Sequence, residues 1–162
     1  MRYLFYCLLS LVLSISLVKA QKFSLKVSGG TEMPVEIFKE GYKTGWGIYG
    51  TGYYALDENA NLLMTVGTAS WRTQQSNNNS GLIFLRTGYR QFVYSGIYFQ
   101  GEAGVAIYTG FWGNSPTRFS YSLGPGYLFG TKERKGLDIS VKFNRASYRS
   151  WLSLNLGYQL SL

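Results

Sequence analysis

The final segment, Trp151 to Leu162, alternates without a break. Leu152, Leu154, Leu156, Tyr158, Leu160 and Leu162 are apolar or aromatic, while Ser153, Asn155, Gly157, Gln159 and Ser161 are small or polar. Strand side chains point alternately to two faces, so a period of two predicts a strand with one apolar and one polar face. A helix would scatter the same leucines around its circumference. The segment therefore reads as a strand, either in a membrane barrel or at the edge of a soluble sandwich.

Seven earlier segments carry the same signature, at 23–28, 46–56, 62–71, 82–90, 96–108, 118–129 and 137–144. In the sixth, Phe119, Tyr121, Leu123, Tyr127 and Phe129 alternate with Ser120, Ser122, Gly124 and Gly126. In the seventh, Leu137, Ile139, Val141 and Phe143 alternate with Asp138, Ser140, Lys142 and Asn144. Residues 29–44, with Pro34 and five charges, read as a long irregular connection. The others fall at 57–61, 74–81, 91–95, 112–116, 130–136 and a short loop at 146–150, the odd-numbered connections being generally the longer or more irregular.

At the amino terminus, Arg2 precedes an apolar run from Tyr3 to Val18, and Val18-Lys19-Ala20 offers a small-residue cleavage site. This is the pattern of a secretory signal peptide. Residues 1–20 are expected to be removed after Ala20, leaving one domain at 21–162. Of the 16 Lys and Arg, Arg2 and Lys19 belong to the leader, so 14 remain against 8 Asp and Glu, a balance of +6. Charged residues make up only 15% of the chain, against roughly 25% for ordinary soluble domains. The polar faces are built instead from Ser, Gly, Thr, Asn and Tyr, which suits a narrow interior better than a wetted exterior. The lone Cys7 lies in the leader and histidine is absent. Ser-His and Cys-His catalysis and the commonest metal ligand are thereby excluded.

Eight strands of about ten residues, tilted about 40°, rise roughly 25 Å, the height of the apolar band of a membrane barrel. The last segment also resembles the carboxy-terminal assembly signal of outer-membrane barrels, with Asn155, Gly157, Leu160 and Leu162 in its defined positions; Leu162 stands where an aromatic residue is more usual. Residues 21–162 resemble the small eight-stranded OmpA/OmpX-type bacterial outer-membrane β-barrel proteins. The resemblance implies an all-β, eight-stranded antiparallel up-and-down transmembrane barrel in the outer membrane. It further implies insertion by the barrel-assembly machinery, contact with outer-membrane lipid and lipopolysaccharide, external loops at the odd connections and periplasmic turns at the even ones. A secreted lipocalin-like barrel has the same alternation turned inside out. Trp46, Tyr54, Trp71, Phe111, Trp112, Phe129 and Trp151 lie near segment ends, where interfacial aromatic girdles are expected.

On the inward parity stand Lys26, Arg86, Arg90, Glu102, Asp138 and Lys142, with Tyr49, Tyr53, Tyr98 and Tyr108. Eight strands leave an interior that side chains just fill, and buried charges must pair there. The expectation is an internal charge network, with an ion path as the competing reading. Arg72, Arg118, Arg145 and Arg149 form a second basic set at loops and outer strand ends, as a solvated rim or as ligands for lipopolysaccharide phosphates. Gly45-Trp46-Gly47-Ile48-Tyr49-Gly50 spells a dinucleotide fingerprint, but no helix pattern follows it and no acid stands about twenty residues on. Neither a cofactor nor a nucleic-acid partner is expected. The functional expectation is a non-enzymatic surface protein that supports envelope integrity or contacts an external partner through its loops, with a narrow channel as the alternative.

Overall fold

The computed structural model describes residues 23–36, 38–74, 79–109, 116–130 and 135–161. The expected leader at 1–20, Phe111, Trp112 and Leu162 lie outside the described residues. Eight strands follow in order: β1 (Phe23–Val35), β2 (Gly45–Ala55), β3 (Ala60–Arg72), β4 (Asn79–Tyr94), β5 (Ile97–Thr109), β6 (Thr117–Gly130), β7 (Gly136–Ala146) and β8 (Arg149–Ser161). A single helical turn, α1 (Phe38–Gly41), lies between β1 and β2. Each strand pairs antiparallel with its sequence neighbours, and β1 pairs with β8 from Ser24↔Ser161 to Val35↔Ser150, so the sheet closes into a barrel. Closure gives every strand two neighbours and removes the sheet edges, the condition a strand must meet to stand in hydrocarbon.

Which parity faces outward separates the two barrel readings. Val27, Met64, Leu123 and Leu156 are 59%, 62%, 55% and 54% exposed. Their chain neighbours Lys26, Thr65, Ser122 and Asn155 are buried. The wall is thus apolar outside and polar inside, the reverse of a lipocalin-like barrel. Pairing of β8 on both sides likewise excludes the edge strand of a soluble sandwich. This is a transmembrane-type barrel.

Four expectations change. Residues 29–35 continue β1, which keeps its parity through buried Glu32 and Pro34 and exposed Met33. Past Glu32, β1 pairs only with β8, because β2 begins at Gly45. Proline is tolerated where one flank of a strand has no ladder. Second, β4 runs on to Tyr94 through a bulge between Phe92 and Tyr94, so the turn into β5 is Ser95-Gly96, with Gly96 at φ 83°. Third, the seventh connection, expected as a short loop at 146–150, is shorter still: only Ser147 and Tyr148 separate β7 from β8, with Ser147 at φ 55°. Fourth, Trp71 and Trp151 stand inside the barrel, not in an external girdle; both are buried and meet edge to face at 5.0 Å. Trp46, Tyr54 and Phe129 do face outward.

Close packing in the lumen depends on residues that lack a side chain. Gly126 of β6 lies beneath the ring of Tyr98, and a Cβ there would fall on the Tyr98 ring carbons and hydroxyl. Gly101, on the outer wall, would meet only Leu123 Cδ1 at 3.5 Å, an ordinary contact. Gly126→Ala must displace Tyr98 from its hydrogen bonds to Asp138, and overpacking of this kind costs about 1–3 kcal/mol. Chemical unfolding in vesicles should find Gly126→Ala destabilised and Gly101→Ala within error of the parent; equal stabilities would contradict this packing.

Candidate functional site

The lumen is the place where this chain concentrates its chemistry. Among the described residues, inward positions of β1, β4, β5, β7 and β8 supply five buried cations, Lys26, Arg86, Arg90, Lys142 and Arg149, and three buried acids, Glu32, Glu102 and Asp138. They stack in three layers along the axis.

The layer nearest the chain termini centres on Asp138. Its Oδ1 accepts Lys26 Nζ at 2.9 Å, its Oδ2 lies 3.4 Å from Arg90 Nη2, and both oxygens accept the Tyr98 hydroxyl at 2.8 and 2.9 Å. Arg90 also donates Nε to Gln100 Oε1 (2.9 Å), Nη1 to Gln159 Oε1 (3.0 Å) and Nη2 to the Tyr53 hydroxyl. Its guanidinium lies 4.0 Å from the Tyr53 ring centroid and 3.8 Å from that of Tyr98. Gln100 continues the network by donating to Glu102 Oε1 at 2.6 Å, which also accepts Lys142 Nζ at 2.7 Å.

The middle layer holds Arg86, stacked 4.1 Å from the Phe84 centroid and donating to Ser120 Oγ and Asn144 Oδ1, each at 2.8 Å. Asn144 Nδ2 donates to Ser153 Oγ, which donates to Glu32 Oε2, both at 2.6 Å. The Tyr49 hydroxyl donates to Glu32 Oε1. The layer at the far end contains Arg149, whose Nη1 donates to Ser80 Oγ at 2.9 Å, under a roof made by Phe38 and Tyr42.

All six expected interior charges therefore meet in the lumen: Lys26, Arg90 and Asp138 in one cluster, Glu102 and Lys142 in the next, and Arg86 above them. Arg149 is a correction to the rim set. It stands on the inward parity at the start of β8 and is fully buried. Arg72 is exposed on the outward parity at the far end of β3, Arg145 is half-buried on that of β7, and Arg118 is exposed at the mouth where β6 begins. Glu32 was missed because the sequence pattern of β1 was followed only to Ser28; extending the period of two from Lys26 through Ser28 and Gly30 reaches it. Asn155, Gly157 and Leu160 lie on β8, the first two inward and the third outward.

Chemically, this interior is a set of ion pairs and charge-assisted hydrogen bonds held by fixed strands. It binds its own charges to each other. Asp138 and Glu102 share the layer nearest the termini and Glu32 stands in the next; among the described residues no three acids gather into a chelating set.

No protein-family model and no curated protein matches the chain. Solved structures do match its fold. Ail, the attachment invasion locus protein of Yersinia pestis, solved with the heparin analogue sucrose octasulfate, aligns with a TM-score of 0.57 at 12% identity, over 86% of this chain and 98% of that one. Neisserial surface protein A aligns with a TM-score of 0.56 at 11% identity, over 86% and 97%. A de novo designed transmembrane β-barrel reaches 0.56 at 13% identity, over 85% and 95%. This chain has the fold of the small eight-stranded outer-membrane barrels, and at these identities the likeness extends to the fold alone.

Proposed function

We propose that this outer-membrane barrel is a non-enzymatic surface protein of the bacterial envelope, whose lumen is a structural core and whose external end makes its contacts. The observation that carries the reading is the filled interior. Tyr53, Tyr98, Arg86 and Arg90 are among the largest fully buried side chains, and they cross the bore at two levels. A barrel this narrow has no room for a water column once such side chains point inward.

In the usual orientation of these barrels the termini face the periplasm. The far end, with Lys39, Lys43, Arg72, Arg118 and Arg145 against Glu36 and Glu40, then faces outward. Its +3 excess among the described residues favours anionic partners, lipopolysaccharide phosphates first, because a guanidinium matches phosphate geometry. The sulfated ligand of Ail supports the same class of partner on an external surface. Asn79 at the far end and Lys135 at the termini end would lie on opposite sides of the membrane.

A planar bilayer tests the reading against the channel alternative. The purified barrel should give no single-channel steps, and Glu102→Gln should not create them. Reproducible ion-selective steps from the parent protein, altered by Glu102→Gln, would replace the surface-protein reading with a conducting one.

A further inference from the structure

The connection between β1 and β2 does not stand clear of the barrel. Residues 38–44 lie across the far mouth and turn two aromatic rings toward the lumen. Phe38 is only 4% exposed; its ring meets Trp71 edge to face at 5.2 Å and Tyr42 at 4.5 Å. Across the bore, Arg149 of β8 donates Nη2 to the Tyr42 hydroxyl at 3.2 Å. Its guanidinium lies 5.3 Å from the Phe38 centroid, 5.1 Å from Tyr42 and 4.6 Å from Tyr108. Cation and rings attract at such distances, more strongly where water is excluded. The segment is also tied to β3: Lys43 N donates to Arg72 O, Gln74 N to Gly41 O and Gln74 Nε2 to Lys39 O, each at 2.9 Å. Directly beneath lies the Trp71–Trp151 pair.

We propose that residues 38–44 are a strap that closes the far mouth, with Arg149 as its latch, and that release of the strap admits water as far as the Trp71–Trp151 pair. Two features make release a local event. The strap is held by the single bridge Tyr42↔Thr73 and a few bonds, not by a full ladder, and segments with few backbone bonds open at lower free energy than the strands around them. Below it, among the described residues, the Arg86 layer and the Asp138 cluster make no hydrogen bond to the strap, so the barrel stays folded and its inner layers stay closed when the strap lifts. The proposal is independent of which partner the surface binds.

Tyr42 and Thr73 supply the test. The bonds on either side of them, from Lys43 to Arg72 and from Gln74 to Gly41, make them a non-hydrogen-bonded antiparallel pair, with Cα atoms about 4.5 Å apart, within disulfide reach. The chain from Gln21 has no cysteine of its own, so Tyr42→Cys/Thr73→Cys forms one defined staple. Trp46→Phe and Trp112→Phe leave Trp71 and Trp151 as the emitting residues. In vesicles, iodide should barely quench the parent strap. Because Tyr42→Cys itself removes the Arg149–Tyr42 contact, Arg149→Gln is first measured with Tyr42 and Thr73 intact, where it should raise the quenching constant several-fold. In the cysteine pair carrying Arg149→Gln, the constant should stay raised when the staple is reduced and return to the parent value when oxidised, with heat-modifiable gel migration unchanged. Phe38→Ala, with the staple reduced, should raise it too, and carries the comparison if Arg149→Gln does not fold. Free quenching of the parent protein, or equal quenching in the Arg149→Gln protein with the staple reduced and oxidised, would overturn the proposal.

Discussion

Asp138→Ala should lower the unfolding free energy of the barrel by about 3–5 kcal/mol, the range seen when one member of a buried ion cluster is removed. The cost arises from what remains. Arg90 would keep its charge in the bore without the carboxylate that now faces it, Lys26 would lose its ion-pair partner, and the Tyr98 hydroxyl would lose both of its acceptors. Lys26→Met makes the informative contrast, since it removes a cation and leaves Asp138 its contacts with Arg90 and Tyr98. It should cost distinctly less. Urea unfolding of both variants in lipid vesicles measures the difference. Equal costs, or a loss below about 1 kcal/mol for Asp138→Ala, would mean that water reaches this layer and screens it, which the burial of all three charges argues against.

The second large effect belongs to the outer wall. Leu156 faces lipid midway along β8, with Gly29 and Ile139 opposite it on the neighbouring strands. Leu156→Arg should cost about 2–4 kcal/mol near the bilayer midplane, while Leu137→Arg, at the membrane boundary where β7 begins, should cost about 0–1 kcal/mol. The gradient is the diagnostic quantity, because a barrel in water would show no dependence on depth. Equal costs at the two sites would sink the membrane assignment. Gln159, three residues on, illustrates why parity alone is not enough. Its inward, polar position suggests that arginine would be tolerated there. In the structure Gln159 accepts Arg90 Nη1 and donates to Ser24 Oγ, so Gln159→Arg would set two guanidinium groups against each other.

What the sequence made legible was whatever alternation could carry. From β5 to β8 the pattern is dense enough that each residue's face can be read directly, which is how Glu102, Asp138 and Lys142 were assigned to the interior. In β1 the signal fails at Gly29-Gly30, where two positions have no side chain to mark a face, and Pro34 then argues against a strand. Glu32 was lost in that gap. Arg149 and the two inner tryptophans were lost for another reason. Near a strand end, a large aromatic or cationic residue suits both a membrane interface and a plugged mouth; the period of two, carried from Thr65 to Trp71 and back from Ser153 through Trp151 to Arg149, places all three inward. Partner choice within the lumen is illegible at this level as well: parity says that Arg90 points inward, but not that it meets Asp138, Gln100, Gln159 and Tyr53 together.

The seam between β1 and β8 joins residues that are among the most distant along the chain, and four side-chain bonds span the same divide: Ser24 to Gln159, Lys26 to Asp138, Glu32 to Ser153 and Glu36 to Ser150. Contacts of such sequence separation form late, after the entropy of closing a long loop has been overcome. A partly zipped sheet of seven strands would present two open edges to lipid and leave Asp138 without Lys26, a state that hydrocarbon penalises at every unpaired amide. Ring closure and drying of the interior are therefore one event. The chain should cross into the bilayer in a single cooperative step, with a lag that reflects the search for that last seam and no stable half-inserted form on the way.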